Sequence, residues 1–372
     1  MAHDTPPLPP PSTSTVPTTV PPSVDGHRAA LLGGHSYTHH SPIPRLVTPN
    51  ASPNAPPNAT PNATPNAADS SPSTGTPCVL GVDEAGRGPV LGPMIYGVFY
   101  LPIELHHSLL AATHRFDDSK VLTPAVRAGL VQTVCTEGTD LHDSCGWAIR
   151  SLSARDIGAG MLKKGASYNL NAQAMDATIS LIREVVDRGV NVSEVYVDTI
   201  GSPSVYQKRL ERVFPTIKIT VEKKADSLYP CVSAASVMAK VTRDVSCELL
   251  EEEWRKSAVA EQEREKCHQS AVAEQDAAGW GSGYPSDARC VAWLKQSAHP
   301  LFGWGNECRF SWATVKDMLE ANAGPGLRAD WPSAEEEADT PTLARFFDPS
   351  APKAEADELR TWFGAPVGQD VF

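Results

Sequence analysis

The chain has 372 residues, of which 41% are hydrophobic, and a formal net charge of −12. This length allows two domains, and the sequence contains no apolar run long enough to span a membrane. The acidic balance is unusual for a nucleic-acid-binding protein, but much of it lies in 251–278 and 323–372. The net charge therefore does not exclude a nucleic-acid substrate.

The amino-terminal segment is compositionally distinct. Residues 1–77 contain 18 of the 33 prolines and repeated Pro-Asn-Ala units, with few large apolar side chains. Such a segment cannot bury enough surface to offset its ordering entropy. We therefore predict a disordered tail, in which His35, His39 and His40 are incidental rather than a metal cluster.

The next segment combines a strand with adjacent acids. An apolar run of strand character ends at Asp83 and Glu84 and is followed by a turn containing Gly86, Arg87 and Gly88. Two carboxylates at the end of a buried strand are costly unless a cation compensates them. The glycines allow backbone amides and the guanidinium to approach a phosphate or a sugar.

The rest of the chain to 322 alternates strands and helices. Further strands are predicted at 94–101, 145–152, 194–198 and 217–221, and helices at 169–188, at 204–214, and from Pro124 and Pro230 onward. In the helix 169–188, Met175, Ile179, Ile182 and Val186 are expected to face the core. The pattern predicts a mixed sheet with helices packed on it.

Two features of the chain favour no specific site. The hexapeptide Ser-Ala-Val-Ala-Glu-Gln occurs at 257–262 and again at 270–275, and we interpret about 255–278 as a charged helical insertion. The eight cysteines show no zinc-type spacing. We expect reduced thiols in a soluble intracellular protein, with Cys78 and Cys231 as small core residues.

Two later acids also follow predicted strands. Asp198 ends the strand 194–198, and Asp226 comes soon after the strand 217–221. Each could instead cap the helix that follows it. Because the carboxyl ends of strands face the site crevice in sheets of this kind, the four acids are also candidates for one shared site.

The same residues carry a family resemblance. The string from Asp83 to Pro89, Asp-Glu-Ala-Gly-Arg-Gly-Pro, resembles the opening motif of the type 2 ribonucleases H (ribonuclease HII). Residues 196–201 and 224–230 resemble the second and third acidic motifs of that family. The resemblance covers about 78–320 and implies an α/β, ribonuclease H-like mixed sheet flanked by helices with a C-terminal helical extension. It places a catalytic domain at 78–322, before an acidic tail at 323–372.

The resemblance also implies chemistry. Two divalent ions, Mg²⁺ or Mn²⁺, would be held by Asp83, Glu84, Asp198 and Asp226 for hydrolysis of RNA paired with or joined to DNA. The implied substrate contacts are Gly86, Arg87, Gly88, Asp118, Ser119, Lys120, Ser233, Ser236, Lys240 and Tyr284. Lys120 and Lys240 would steady charge on the phosphate, and Tyr284 would contact the sugar after the ribonucleotide.

Partners follow from the resemblance as well. Phe310, Ser311 and Trp312, together with the length beyond them, resemble the eukaryotic catalytic subunits of the family rather than the shorter bacterial enzymes. Those subunits work in the nucleus with two smaller non-catalytic ones, and we expect the three residues to offer aromatic surface to a partner. Residues 340–347 have a spacing like that of a sliding-clamp peptide, without its leading Gln. No membrane association is expected.

Two alternatives remain at this point. A non-catalytic scaffold could hold a hybrid duplex, but it would be expected to lack at least one of the acids. A related metal-dependent exonuclease or transposase-like enzyme would be expected to lack the Gly-Arg-Gly loop and the later Gly-Ser-Gly-Tyr sequence.

Overall fold

A sheet with helices on both faces organises the protein. The computed structural model describes residues 20–48, 75–116, 122–163, 168–199, 201–266, 279–299 and 301–320. The described residues belong to one compact unit. Within them, no helix is long and apolar enough to cross a membrane.

The strands form a mixed sheet, as predicted. They are β1 (Tyr37–His40), β2 (Cys78–Ala85), β3 (Met94–Pro102), β4 (Gly146–Leu152), β5 (Val192–Asp198) and β6 (Lys218–Glu222). Their order in space is β1-β4-β3-β2-β5-β6. β2 pairs in parallel with β5, and β5 with β6, whereas the other pairs are antiparallel. The carboxyl ends of β2, β5 and β6 therefore lie at one edge of the sheet.

The helices agree with the predicted positions in most of the catalytic region. They are α1 (Pro22–Asp25), α2 (Arg28–Leu32), α3 (Pro124–Cys135), α4 (Asp140–Ser144), α5 (Ala154–Leu162), α6 (Leu170–Asp187), α7 (Pro203–Val213), α8 (Pro230–Lys266), α9 (Ala288–Ser297) and α10 (Ala313–Glu320). Short 3₁₀ turns cover Ile103–Leu105 and Ala225–Ser227, and a π-helix covers His106–Thr113. α8 includes the first part of the proposed insertion, and 267–278 lie outside the described residues.

The structure corrects the prediction that all of 1–77 is disordered, because residues 20–48 are folded. β1 extends the sheet by pairing with β4. Val24 is completely buried, and the Ser23 and Thr242 hydroxyls lie 2.9 Å apart in the interior. A segment poor in apolar residues can still fold when it adds a strand and a few side chains to a core built elsewhere.

The histidines of this segment are structural rather than incidental. The His39 ring packs on Trp147 with centroids 5.0 Å apart, and burial lowers the pKa of His39 to about 4. His40 Nε2 lies 2.7 Å from the Glu184 carboxylate on α6. These contacts connect three distant parts of the sequence, so local composition gave no signal of them.

The small residues of α8 allow that helix to lie directly on the middle of the sheet. A Cβ atom added at Gly81 in β2 would lie 2.3 Å from the Cys231 carbonyl group, and one at Gly97 in β3 would lie 2.7 Å from Ala235 O. Neither strand position therefore has room for a side chain. This contact determines where the later residues of α8 lie.

The core predictions are largely confirmed. Cys78 and Cys231 are fully buried among apolar neighbours. Val186, expected in the core, is 36% exposed, whereas Val185 is 1% exposed. The buried face of α6 is thus centred one position earlier than the apolar periodicity predicted.

Candidate active site

Four acidic residues meet where the parallel strands end. Val82 of β2 pairs with Val197 of β5, so Asp83 and Asp198 are the next residues on adjacent strands. Asp198 Oδ1 accepts a hydrogen bond from the Ala225 amide at 3.0 Å, which links β5 to the turn that carries Asp226. Asp198 does not cap α7, whose N-cap residue is Ser202. The shared position at the strand ends favours a common site over separate helix caps.

The electrostatics of the acids reflect crowding and burial. Burial raises the pKa of Asp83 to about 7, a hydrogen bond from Ser236 opposes the rise, and Asp198 and Asp226 add to it. Burial, followed by the charge of Asp83, raises the pKa of Glu84 to about 8, while Arg87 opposes that rise. The pKa of Asp198 is raised for the same first reason. The folded protein therefore disfavours the fully ionised form of this group.

The donor set suits a hard divalent cation. Carboxylate oxygens are the ligands that Mg²⁺ and Mn²⁺ prefer, and a bound cation would stabilise the ionised forms that burial and mutual repulsion disfavour. Among the described residues, no three His, Cys, Asp or Glu side chains converge closely enough to form a ready metal cage. The residues thus fit the ion by chemistry, and closer approach of their side chains would accompany its binding.

A cleft of about 390 Å³ lies beside the acids. It is lined by Glu84, Ala85, Gly86, Arg87, Gly88, Arg127, Lys240, Arg243, Asp244 and Tyr284. The Gly-Arg-Gly loop, Lys240 and Tyr284 were all predicted as substrate contacts, and the fold brings them together. A Cβ atom added at Gly88 would lie 3.1 Å from the Tyr284 ring, so the ring lies directly against this loop.

The glycine loop has little room for change. Gly86 has φ +79°, a conformation that favours glycine, and an added Cβ atom would lie 2.1 Å from Arg243 Nε. The Arg87 guanidinium donates a hydrogen bond to Asn171 Oδ1 at the start of α6. The loop is therefore fixed at both its backbone and its central side chain.

A buried arginine holds this loop from behind. Arg309, which is 0% exposed, donates to Gly86 O at 2.6 Å, to Arg87 O at 3.0 Å and to Gly92 O at 3.0 Å. Trp312 Nε1 donates to Gly88 O at 3.0 Å, and the Arg309 guanidinium lies 4.8 Å from the centroid of the Trp312 ring. We call Arg309 and Trp312 the loop clamp.

The loop clamp also sets the direction of the loop amides. In a trans peptide the carbonyl and the following N–H point in opposite directions. Because the Gly86 and Arg87 carbonyls point to Arg309, the N–H groups of Arg87 and Gly88 point away from it. These residues line the cleft, so the clamp favours presentation of backbone donors to a ligand there.

Several predicted contacts are placed differently or lie outside the described residues. Ser233 and Ser236 are wholly buried, so neither presents its hydroxyl to a ligand in this structure, and Ser236 instead hydrogen-bonds Asp83. This corrects their assignment as direct phosphate contacts. Asp118, Ser119 and Lys120 lie outside the described residues.

The expectation of an aromatic partner surface at Phe310, Ser311 and Trp312 is also corrected. Ser311 is 9% exposed, and the two aromatic side chains are partly buried against the hydrophobic core. Sequence reasoning missed Arg309, Arg127 and Arg243 as residues of the site. A lone arginine in the sequence carries no signal of which backbone carbonyls it will meet.

Comparison with known proteins agrees with this geometry. The family model described as Ribonuclease HII matches residues 80–261. A ribonuclease H2 subunit of Neurospora crassa is 53% identical over 348 residues, which cover 92% of this chain and 94% of that protein. The corresponding ribonuclease H2 subunits of Schizosaccharomyces pombe and Homo sapiens are each 43% identical, over 79% and 70% of this chain and 81% and 79% of their own lengths.

Fold and site together define a nuclease with a ribonuclease H-like sheet. The chain belongs to the ribonuclease HII family, the type 2 ribonucleases H, and over most of its length it is similar to one and the same subunit of ribonuclease H2 from several organisms. It is therefore an endonuclease of the ribonuclease H class.

The crowded acids predict a stability gain on neutralisation. Unfolded carboxyl groups titrate near pH 4, whereas Asp83 and Glu84 titrate at about 7 and about 8 in the folded chain. The folded state binds more protons in this interval, so stability should fall as pH rises through it. In EDTA above about pH 8, Asp83→Asn should raise the free energy of unfolding by about 1 kcal/mol, or Tm by about 2–4 °C.

Thermal unfolding monitored by circular dichroism measures this effect, with Asp317→Asn on the exposed face of α10 as the matched control. The gain should disappear near pH 4, where the unfolded carboxyls are also protonated. A variant less stable than the parent in EDTA at the higher pH would show that Asp83 is not under repulsion.

The loop clamp gives a second prediction. Arg309→Met keeps an unbranched side chain but removes the donors to three carbonyls, and it should lower the stability by about 3 kcal/mol or more. Trp312→Phe keeps an aromatic ring and loses one hydrogen bond, so it should cost only about 1 kcal/mol. Chemical denaturation of both variants measures the difference, and equal stability of Arg309→Met and the parent chain would refute the clamp.

Proposed function

We propose that the protein hydrolyses the RNA strand of RNA–DNA hybrids and nicks DNA duplexes on the 5′ side of embedded ribonucleotides. The observation that carries the proposal is the meeting of Glu84, the Gly86–Gly88 loop, Tyr284 and a cationic wall in one cleft beside the other acids. The products would carry a 5′-phosphate and a 3′-hydroxyl. Such an activity would serve ribonucleotide excision and removal of RNA primers in the nucleus.

The acids would hold the ions that this reaction needs. Asp83, Glu84, Asp198 and Asp226 would bind two divalent ions, Mg²⁺ or Mn²⁺, which when bound supply the charge that activates water and stabilises the departing 3′ oxygen. Ser236 orients Asp83 through its hydrogen bond. Among the residues of this chain, no side chain needs to form a covalent bond to phosphorus.

The cleft residues would bind and orient the substrate. Lys240 and Arg243 supply positive charge for backbone phosphates. The amides of Arg87 and Gly88 point away from the loop clamp and would donate to oxygens of the ribonucleotide, including its 2′-hydroxyl. The Tyr284 side chain, 43% exposed and adjacent to Gly88, would pack on the neighbouring sugar.

A scaffold that only binds a hybrid is the competing function. The presence of all four acids in one place favours hydrolysis, because a binding protein gains nothing from buried like charges. The relatives are named as subunits of ribonuclease H2, and we infer that this chain also works with smaller non-catalytic subunits. A sliding-clamp contact through residues 340–347 stays a prediction from the sequence, since that segment lies outside the described residues.

A cleavage assay tests the proposed reaction. The full chain, alone and co-expressed with its partner subunits, is incubated with a DNA duplex that contains one ribonucleotide. We expect a single nick at the 5′ side of that ribonucleotide with Mg²⁺ or Mn²⁺, no nick in EDTA, and loss of most activity in Asp198→Asn. Tight binding of the duplex without any metal-dependent nick in either preparation would favour the scaffold instead.

The role of Tyr284 gives a further prediction. Tyr284→Phe should lower kcat/KM at a single embedded ribonucleotide by about 1–3 kcal/mol of transition-state stabilisation, and Tyr284→Ala should lower it more because the packing surface is also lost. Long RNA–DNA hybrids offer many registers and should be affected less. Tyr168→Phe, at a similarly exposed tyrosine that does not line the cleft, is the control. Equal losses on both substrates would contradict a role in reading the junction.

A further inference from the structure

Helices α3 and α8 build one wall of the cleft from charged residues. Arg127 comes from α3, and Lys240, Arg243 and Asp244 come from α8. The α8 positions are separated by three and four residues, so they share one helix face. Their placement follows from the close contact of α8 with the sheet.

Arg127 is held in an ordered position. Its Nη1 donates to Leu122 O at 2.8 Å, and its Nη2 lies 3.6 Å from Asp244 Oδ2. The Arg127 side chain is 14% exposed, against 47% for Asp244. A guanidinium that is already ordered loses less conformational entropy when it binds a phosphate than a free surface lysine does.

The charge of the wall suits an anionic polymer. The residues lining the cleft include the cations Arg87, Arg127, Lys240 and Arg243 but only the carboxylates Glu84 and Asp244, in a chain whose net charge is −12. A local excess of positive charge in a cleft attracts an anionic ligand even when the whole molecule is acidic. Asp244, between Arg127 and the other α8 cations, reduces their mutual repulsion before the ligand binds.

We propose that Arg127 binds a backbone phosphate of the substrate duplex next to the acidic site, and that Asp244 is the positioning residue that orients it. The inference deepens the proposed function and rests on it, because it requires that the cleft hold nucleic acid. The guanidinium presents two donors to one phosphate group, the arrangement that arginine favours. Asp244 itself makes no contact with the substrate.

The alternative is that Arg127 only joins α3 to α8. A structural link would affect Tm but not the number of ions displaced when the duplex binds. A phosphate contact instead contributes to the salt dependence of binding, because each neutralised phosphate releases counterions. The salt slope of the dissociation constant therefore separates the two roles.

The experiment measures binding of a fluorescein-labelled DNA duplex with one ribonucleotide to the full chain, in EDTA so that metal-dependent cleavage does not occur. Fluorescence anisotropy gives Kd between about 50 and about 200 mM salt. Arg127→Gln retains hydrogen-bonding groups toward Leu122 and Asp244 but has no charge. We expect it to reduce the slope of log Kd against log salt by about 1 and Arg127→Lys to retain the slope of the parent.

A double-mutant cycle tests the role of Asp244. Asp244→Ala should also reduce the slope by about 1, and Arg127→Gln with Asp244→Ala should lose no more than either change alone, because both remove one phosphate contact. Lys218→Ala is the control, since Lys218 lies at the amino end of β6, the end of the strand away from the acids. It should leave the slope unchanged.

Two results would overturn the inference. A parental slope in Arg127→Gln, whatever its Tm, would assign Arg127 to the α3–α8 link alone. Tighter binding by Asp244→Ala would show that Asp244 repels the duplex rather than positioning Arg127. Either result leaves the proposed function intact if the parent chain still nicks the ribonucleotide substrate, whereas absence of nicking by the parent chain contradicts the proposed function itself.

Discussion

The close contact between α8 and the centre of the sheet is the constraint on which the site depends. Gly81 and Gly97 leave no space for side chains where the helix crosses β2 and β3. This contact places Ser236 against Asp83, and it places Lys240 and Arg243 in the cleft. A larger residue at either glycine would move the helix and separate the acids from the residues that we propose bind the substrate.

The site combines two unlike electrostatic problems. The acids at the strand ends disfavour full ionisation, and the raised pKa values of Asp83 and Glu84 express that cost. A buried cation, Arg309, lies behind the adjacent loop, where carbonyl oxygens and an aromatic ring stabilise its charge. Buried groups of this kind reduce stability, and their presence is typical of a functional site rather than of a structural core.

The sequence predicted the catalytic region well because its signals are local. Alternation, glycine turns and a proline at the first turn of α3 located most strands and helices, and strand ends predicted where the acids meet. It failed where the cause is a contact between distant segments. The addition of residues 20–48 to the sheet, the three carbonyls that meet Arg309, and the burial of Ser233 and Ser236 under the helix all depend on the assembled fold. Resemblance to a family supplied the chemical roles, which periodicity alone does not.

The central claim is that the four acids form one divalent-metal site. Isothermal titration of Mn²⁺ into the full chain, compared with Asp83→Asn and Asp226→Asn, tests it most directly because binding is measured without turnover. The account predicts saturable binding to the parent chain and about tenfold or greater weakening in each variant, which corresponds to about 1.4 kcal/mol or more. Asp317→Asn should bind as the parent chain does. Parental Mn²⁺ affinity in both acid-site variants would contradict the account.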